Sequence, residues 1–406
     1  MASRRGMQGF LLTVAAVSLM LACPSRADDD PDKSSLLSFL GVGHKQTASL
    51  VGDQACAQCH AEKVRTFHQT AHSRTSALAS AESIHGKFGA ESNTLATVNP
   101  DLYFVMEAVG KGFTQTAHMR TSGTQEMSRS EKMDVVVGSG RKGQTYLFWD
   151  GDQLFELPVS YWTGIDAWVN SPGYVDGTAN FDRAIVPRCL ECHASSFVSR
   201  APPENRYDVT SLVLGVTCEK CHGPGSEHVE RFRSASPPKA LADYAIINPS
   251  RLPRIRQLDT CALCHAGSGT PLTPALSFVP GDNLHDFVRF KALAPTAHAD
   301  VHVSQVQLLE RSRCFRSTST LTCLTCHDVH TPQRDTAAFA SRCLECHKAE
   351  NCPKFTSLGH AIDTRCIDCH MPLQETSKIT SGVNGQSMRP MVRNHQIAIY
   401  PDVVLH

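Results

Sequence analysis

The chain has 406 residues, 39 Lys and Arg balanced by 39 Asp and Glu, 41% hydrophobic side chains and 17 Cys. This balance excludes an acidic or basic tail protein and a disordered polymer. A globular protein is left, and its length alone suggests two or three domains if side chains are the only material of the core.

In chain order, Arg4 and Arg5 precede an apolar run of 13 residues from Phe10 to Ala22. That run is too short to span a bilayer and has the length of a signal-peptide core. Residues 1–27 therefore read as a signal peptide cut after Ser25-Arg26-Ala27, exporting a soluble protein to the periplasm. A lipoprotein box, Met20-Leu21-Ala22-Cys23, is the minority reading, because Met20 and Pro24 suit it poorly; membrane contact is expected only if Cys23 carries lipid. Residues 28–52 read as a linker, 53–188 as an N-terminal region, 189–370 as a cysteine-dense region and 371–406 as a polar arm.

One chemical device recurs seven times. Cys56-Ala-Gln-Cys59-His60, Cys189-Leu-Glu-Cys192-His193, Cys218-Glu-Lys-Cys221-His222, Cys261-Ala-Leu-Cys264-His265, Cys323-Leu-Thr-Cys326-His327, Cys343-Leu-Glu-Cys346-His347 and Cys366-Ile-Asp-Cys369-His370 are motifs 1 to 7. Residues i, i+3 and i+4 share one face of a helical turn, so two thiols reach the two vinyl groups of a haem while the His reaches its iron. Zinc knuckles or disulfides explain paired Cys but not a His after every pair. The cofactor implied is seven covalently attached haems c, and only Cys23, Cys314 and Cys352 fall outside the motifs; whether Cys314 and Cys352 pair as a disulfide stays open.

Thirteen further His residues are enough to close every iron from its other side. Bis-His ligation is expected over Met/His, since Met shows no comparable placement around the motifs. The candidates are His72, His118, His228, His302, His330, His360 and His395, with His68, His85, His285 and His298 in reserve. His72 and His118 lie in matching heptads, QTAHSRT and QTAHMRT, and His228 follows a Gly-Pro-Gly turn after motif 3. His330 stands three residues beyond His327, too close to wrap round the same haem, so a neighbouring haem is its expected target.

Motifs 1 and 2 are 133 residues apart, whereas the later intervals are 29, 43, 62, 20 and 23. Within the sparse stretch, Met133 to Val137, Gln144 to Trp149 and Leu154 to Val159 read as strands, with Asp150-Gly151 as a hairpin turn. Gly138-Ser-Gly140-Arg-Lys-Gly143 matches a dinucleotide fingerprint, but a strand-like Gln144 to Trp149 follows it, so a glycine-rich hairpin turn is expected and no nucleotide cofactor. The region from Cys189 to His370 offers short helical runs and loops, giving a predicted fold that is mainly α with extensive loops, multihaem cytochrome packing and a small antiparallel β element in the N-terminal half.

Residues DQACAQCH with TAHSRT, CEKCHGPGSEH and CLTCHDVH resemble the multihaem cytochrome c family that includes the cytochrome c-552/4 domain and the tetrahaem cytochrome c-554. The resemblance implies bis-His haems in packed pairs with His72, His228 and His330 as distal ligands. It departs in motif number, seven against four, and no motif ends in Lys as in the related nitrite reductases. The expected function is a periplasmic electron carrier between redox partner proteins, other cytochromes or a respiratory complex, with no catalytic residue and no nucleic-acid partner. The alternatives are a reductase or oxidase of a small nitrogen or sulfur species at a five-coordinate haem, and an electron-transfer subunit of a larger respiratory complex.

Overall fold

A computed structural model describes residues 48–121, 126–200, 202–241, 244–267, 269–291, 299–383 and 385–401. The expected signal peptide, Cys23 and His298 lie outside these residues.

The chain enters through helix α1 (Asp53–Phe67), which carries motif 1 and kinks at His60, where φ is −117° and ψ 36°. Eleven strands follow: β1 (Ser76–Leu78), β2 (Thr94–Ala96), β3 (Leu102–Val109), β4 (Gly112–Arg120), β5 (Glu126–Lys132), β6 (Val135–Val137), β7 (Gly143–Asp150), β8 (Gln153–Glu156), β9 (Val159–Trp162), β10 (Ala167–Asn170) and β11 (Arg183–Ala184). They form a four-stranded sheet in the order β2-β3-β4-β5 and a seven-stranded sheet whose main path is β1-β6-β7-β8-β11, with β9 joining β7 to β10.

These strands form because apolar residues alternate. In β3, Leu102, Phe104 and Met106 point inward at a period of two, and Phe104 and Met106 are fully buried. They pack with Tyr146, Leu157, Tyr161 and Trp168 of the larger sheet and its connections. Gln115 fastens the sheets by both ends of its amide: Nε2 donates to the Val159 carbonyl at 2.6 Å, and Oε1 accepts from Val159 N–H at 3.1 Å.

The segment 138–142 is the tight connection between antiparallel β6 and β7. Gly138 and Gly140 have φ of 109° and 75°, and a Cβ on Gly140 would lie 2.2 Å from the His85 ring. A strand follows this loop, as expected for a hairpin. The next turn falls one residue later than predicted, at 151–152, because Asp150 pairs with Gln153.

Beyond Arg183 the helices are short: α2 (Pro187–His193), α3 (Cys218–His222), α4 (Ser226–Arg233), α5 (Arg254–His265), α6 (Gln305–Arg311), α7 (Arg313–Ser317), α8 (Cys323–Cys326), α9 (Thr336–Leu344), α10 (Phe355–Leu358) and α11 (Cys366–His370). Small two-stranded sheets join β12 (Ala194–Ser196) to β13 (Val213–Leu214), β14 (Thr270–Pro271) to β15 (Val288–Arg289), β16 (Leu373–Glu375) to β19 (Met391–Arg393), and β17 (Ser381–Val383) to β18 (Gln386–Met388).

The expectation of a mainly α fold is therefore corrected: 30% is helical and 24% strand, with many antiparallel sheets. The cause is physical. Five of the seven motif helices have nine residues or fewer, below the length at which a helix holds itself, while the stretch between motifs 1 and 2 is filled by two sheets rather than one small element.

The C-terminal segment folds back on its own chain. Arg393 donates to Asp368 of motif 7 at 2.7 Å, Ile397 N–H to Ser312 Oγ at 2.7 Å, and Asn170 of β10 to the Gly382 carbonyl at 3.1 Å. It thus bridges the β region and the helical region. Among the described residues no helix is long and apolar enough to cross a membrane.

Candidate haem-binding site

Motifs 1 to 5 and 7 sit wholly or largely on single helical turns, and motif 6 starts in the last turn of α9 and leaves it before His347. Among the described residues no three His, Cys, Asp or Glu side chains converge as a zinc site requires, and all the described Cys are free thiols, Cys314 and Cys352 included.

A cavity of about 2980 Å³ lies between the motif helices and the β6–β7 connection, several times the roughly 300–1,000 Å³ of a small-molecule pocket. Its walls carry Cys and His from motifs 1 to 5, Cys343 of motif 6, and five His from outside the motifs: His72, His228, His302, His330 and His395. His118 and His360 do not line it.

The imidazoles meet in pairs, one from a motif and one from elsewhere. Ring centroids are 6.4 Å apart for His60 and His228, 6.1 Å for His265 and His72, 6.0 Å for His222 and His330, and 6.3 Å for His327 and His395. An imidazole nitrogen binds a metal at about 2 Å, so two rings gripping one metal from opposite sides have centroids about 6 Å apart. His302 is close enough to act on the charge of both His193 and His265. His330 thus faces the His of motif 3, not that of the adjacent motif 5.

Hydrogen bonds select the ring nitrogen left for a metal. Nδ1 of His222 donates to the Ile247 carbonyl at 2.7 Å, Nδ1 of His228 to the Tyr244 carbonyl at 2.7 Å, and Nδ1 of His370 to the Ala398 carbonyl at 2.8 Å. A carbonyl only accepts, so the proton stays on Nδ1 and the Nε2 lone pair is free to ligate. Nδ1 of His193 lies 2.8 Å from Thr75 Oγ1. Burial keeps the rings in the neutral, ligating form: it lowers the pKa of His72, His193, His222, His302, His327 and His395, and pushes His265 down to about 4 with help from nearby His72, His395, His302 and His327.

The sulfurs, which stand for the thioethers of a haem-loaded chain, also meet between motifs. Cys56 touches Cys218, Cys192 touches Cys264, and Cys261 touches Cys323. Cys261 also feels Cys221, and Cys343 feels both Cys326 and Cys366.

The remaining candidates lie elsewhere. His118 is on β4, stacked on Tyr103 at 4.8 Å and 3.3 Å from Glu126. His360 is exposed, 3.1 Å from Asp363 and edge-on to Phe355. His68 binds Asp53 at 2.9 Å, and His285 lies edge-on to Phe290. Thr75 and the carbonyls of Ile247 and Tyr244 escaped sequence reading. Thr75 closes the first of the repeated heptads, which is the one signal that pointed near it.

Two segments, 55–101 and 171–223, match the family described as cytochrome c554 and c-prime. The motifs and this match, which spans 100 of the 406 residues, support placing the chain among multihaem c-type cytochromes, a class that binds haem c covalently. The chain is similar in fold to the outer cell wall cytochrome OcwA, with a TM-score of 0.54 and 16% identity over 86% of this chain and 79% of that one. It also aligns with an undecahaem cytochrome from the S-layer of Carboxydothermus ferrireducens, at a TM-score of 0.36 and 17% identity over 87% of this chain and 52% of that one. No curated protein sequence matches it significantly.

Proposed function

We propose that this chain is an exported, periplasmic seven-haem cytochrome that carries electrons between redox partner proteins, its haems mostly held by two His each. The observation that carries the reading is the set of four motif and non-motif imidazole pairs at 6.0–6.4 Å. Each motif supplies two Cys for covalent attachment and one proximal His. The distal partners are His228 for motif 1, His302 for motif 2, His330 for motif 3, His72 for motif 4 and His395 for motif 5.

Haem c bound there supplies one-electron redox chemistry at low potential, the usual consequence of bis-His ligation over Met/His. The chain's own part is to anchor sulfurs, aim Nε2 atoms and exclude water by burial. Sulfur contacts between motifs 1 and 3, 2 and 4, and 4 and 5, with the mutual influence of sulfurs in 3 and 4, 5 and 6, and 6 and 7, support an order of attachment sites 1-3-4-5-6-7, with motif 2 joining at motif 4. A carrier of this kind needs no acid, base or nucleophile. Mass spectrometry of holoprotein matured in a competent host tests the stoichiometry: seven covalent haems are expected, and a smaller number would defeat the reading.

A further inference from the structure

We propose that Glu219, inside motif 3, is a positioning residue for the haem of motif 1. The inference rests on reading His60 and His228 as the two ligands of one iron. Glu219 is buried, 7% exposed, yet its carboxylate is spent on backbone outside its own motif. Oε1 accepts from Val51 N–H at 2.9 Å and from Gly225 N–H at 2.8 Å, and Oε2 accepts from Gly52 N–H at 2.9 Å.

Those three donors have a shared meaning. Val51 and Gly52 lead directly into α1, which carries His60; Gly225 leads directly into α4, which carries His228. One carboxylate therefore holds the origins of both helices whose imidazoles face each other at 6.4 Å with ring planes 18° apart. The neighbours repeat the link: Ser49 N–H donates to Ser226 Oγ at 2.8 Å, and Ser226 N–H donates to the Ser49 carbonyl at 3.2 Å. Asp53 Oδ1 accepts from Cys218 N–H at 3.0 Å, so the first turn of α1 and motif 3 clasp each other.

A buried carboxylate is tolerated only when such bonds satisfy it, which makes this a built feature and not an incidental contact. The Tyr244 carbonyl sets the rotation of the His228 ring but does not tie α4 to α1. Glu219 does.

The test is electron paramagnetic resonance of oxidised holoprotein, with haem content checked by mass spectrometry. His228→Ala is the reference and should convert one iron in seven to high spin. Glu219→Ala should weaken or shift that same low-spin component, and the double variant should show nothing beyond His228→Ala alone. Glu219→Gln keeps one oxygen for both Val51 and Gly225 but turns an amide N–H toward the Gly52 N–H, so it should shift that component less than Glu219→Ala does. If Glu219→Ala fails to take up seven haems, Glu219→Asp decides: its shorter reach loosens all three bonds and should shift the component more than Glu219→Gln does. A fully loaded Glu219→Ala or Glu219→Asp with the wild-type spectrum, or an effect that adds to that of His228→Ala, overturns the proposal alone. No spin change in His228→Ala sinks the ligand assignment beneath it, and the proposal with it.

Discussion

His72→Ala is the sharpest perturbation of the proposed ligand set. Among the four ring pairs, His72 and His265 are the near-perpendicular one, at 79°, whereas the others lie at 18°, 30° and 22°. Ring planes set the splitting of the iron d orbitals they overlap. Near-parallel rings give a rhombic low-spin spectrum, and crossed rings give a strongly anisotropic signal with one large g value. The substitution should therefore erase the strongly anisotropic signal, leave the rhombic signals in place, and raise a high-spin signal equal to about one-seventh of the iron, one motif in seven. Low-temperature electron paramagnetic resonance with spin integration reads both changes. His118→Ala is the matched control from the second heptad; its ring stacks on Tyr103, and its removal should leave the haem spectrum untouched. A His72→Ala spectrum that keeps the anisotropic signal, or loses a rhombic one instead, refutes the pairing.

Phe104 is fully buried in the β core, and Phe104→Ala should cost about 3–5 kcal/mol of stability, read as a lower melting transition of strand signal in circular dichroism. A loss below about 1 kcal/mol would mean that the two sheets do not share this core. Burial pushes the Glu156 carboxyl up to about 7 from 4.5, with Arg183, 3.1 Å away, pulling the other way. Between those values the folded state holds the proton that the unfolded state has released, so stability falls as pH rises from 4.5 to 7. The swing is at most about 3 kcal/mol, set by the gap between 4.5 and 7. Glu156→Gln should flatten that slope, and an unchanged slope in denaturation measured across this range would contradict the assignment.

The proposed attachment sites stand out in the sequence because covalent chemistry ties two sulfurs and one imidazole to a single helical turn, and such spacing survives in any tertiary setting. Distal partners obey no local rule. His395 reaches His327, and His72 reaches His265, through folding of distant segments, so sequence offered candidates without pairings. The twin heptads make the point most clearly. Gln69 to Thr75 forms turns after α1 and brings His72 to the cavity, while Gln115 to Arg120 lies in β4, where Gln115 is buried between sheets and His118 stacks on Tyr103. Near-identical residues take different structures because β3 and β5 flank the second copy and pair with it. The alternation of Leu102, Phe104 and Met106 in β3 is a strand signal, whereas the mainly α expectation follows from the short helical runs between Cys189 and His370. Glu219 was hidden for another reason: a Glu between two Cys looks like a solvated spacer until its carboxylate meets Val51, Gly52 and Gly225.

The paired grip of motif and distant imidazoles on each iron is tested most directly by Mössbauer spectroscopy of iron-57-enriched, oxidised holoprotein, which counts every iron regardless of signal shape. Four ring pairs and the proposed His302 ligation of motif 2 predict that at least five-sevenths of the iron is low-spin ferric. A predominantly high-spin spectrum from fully loaded protein would contradict the account.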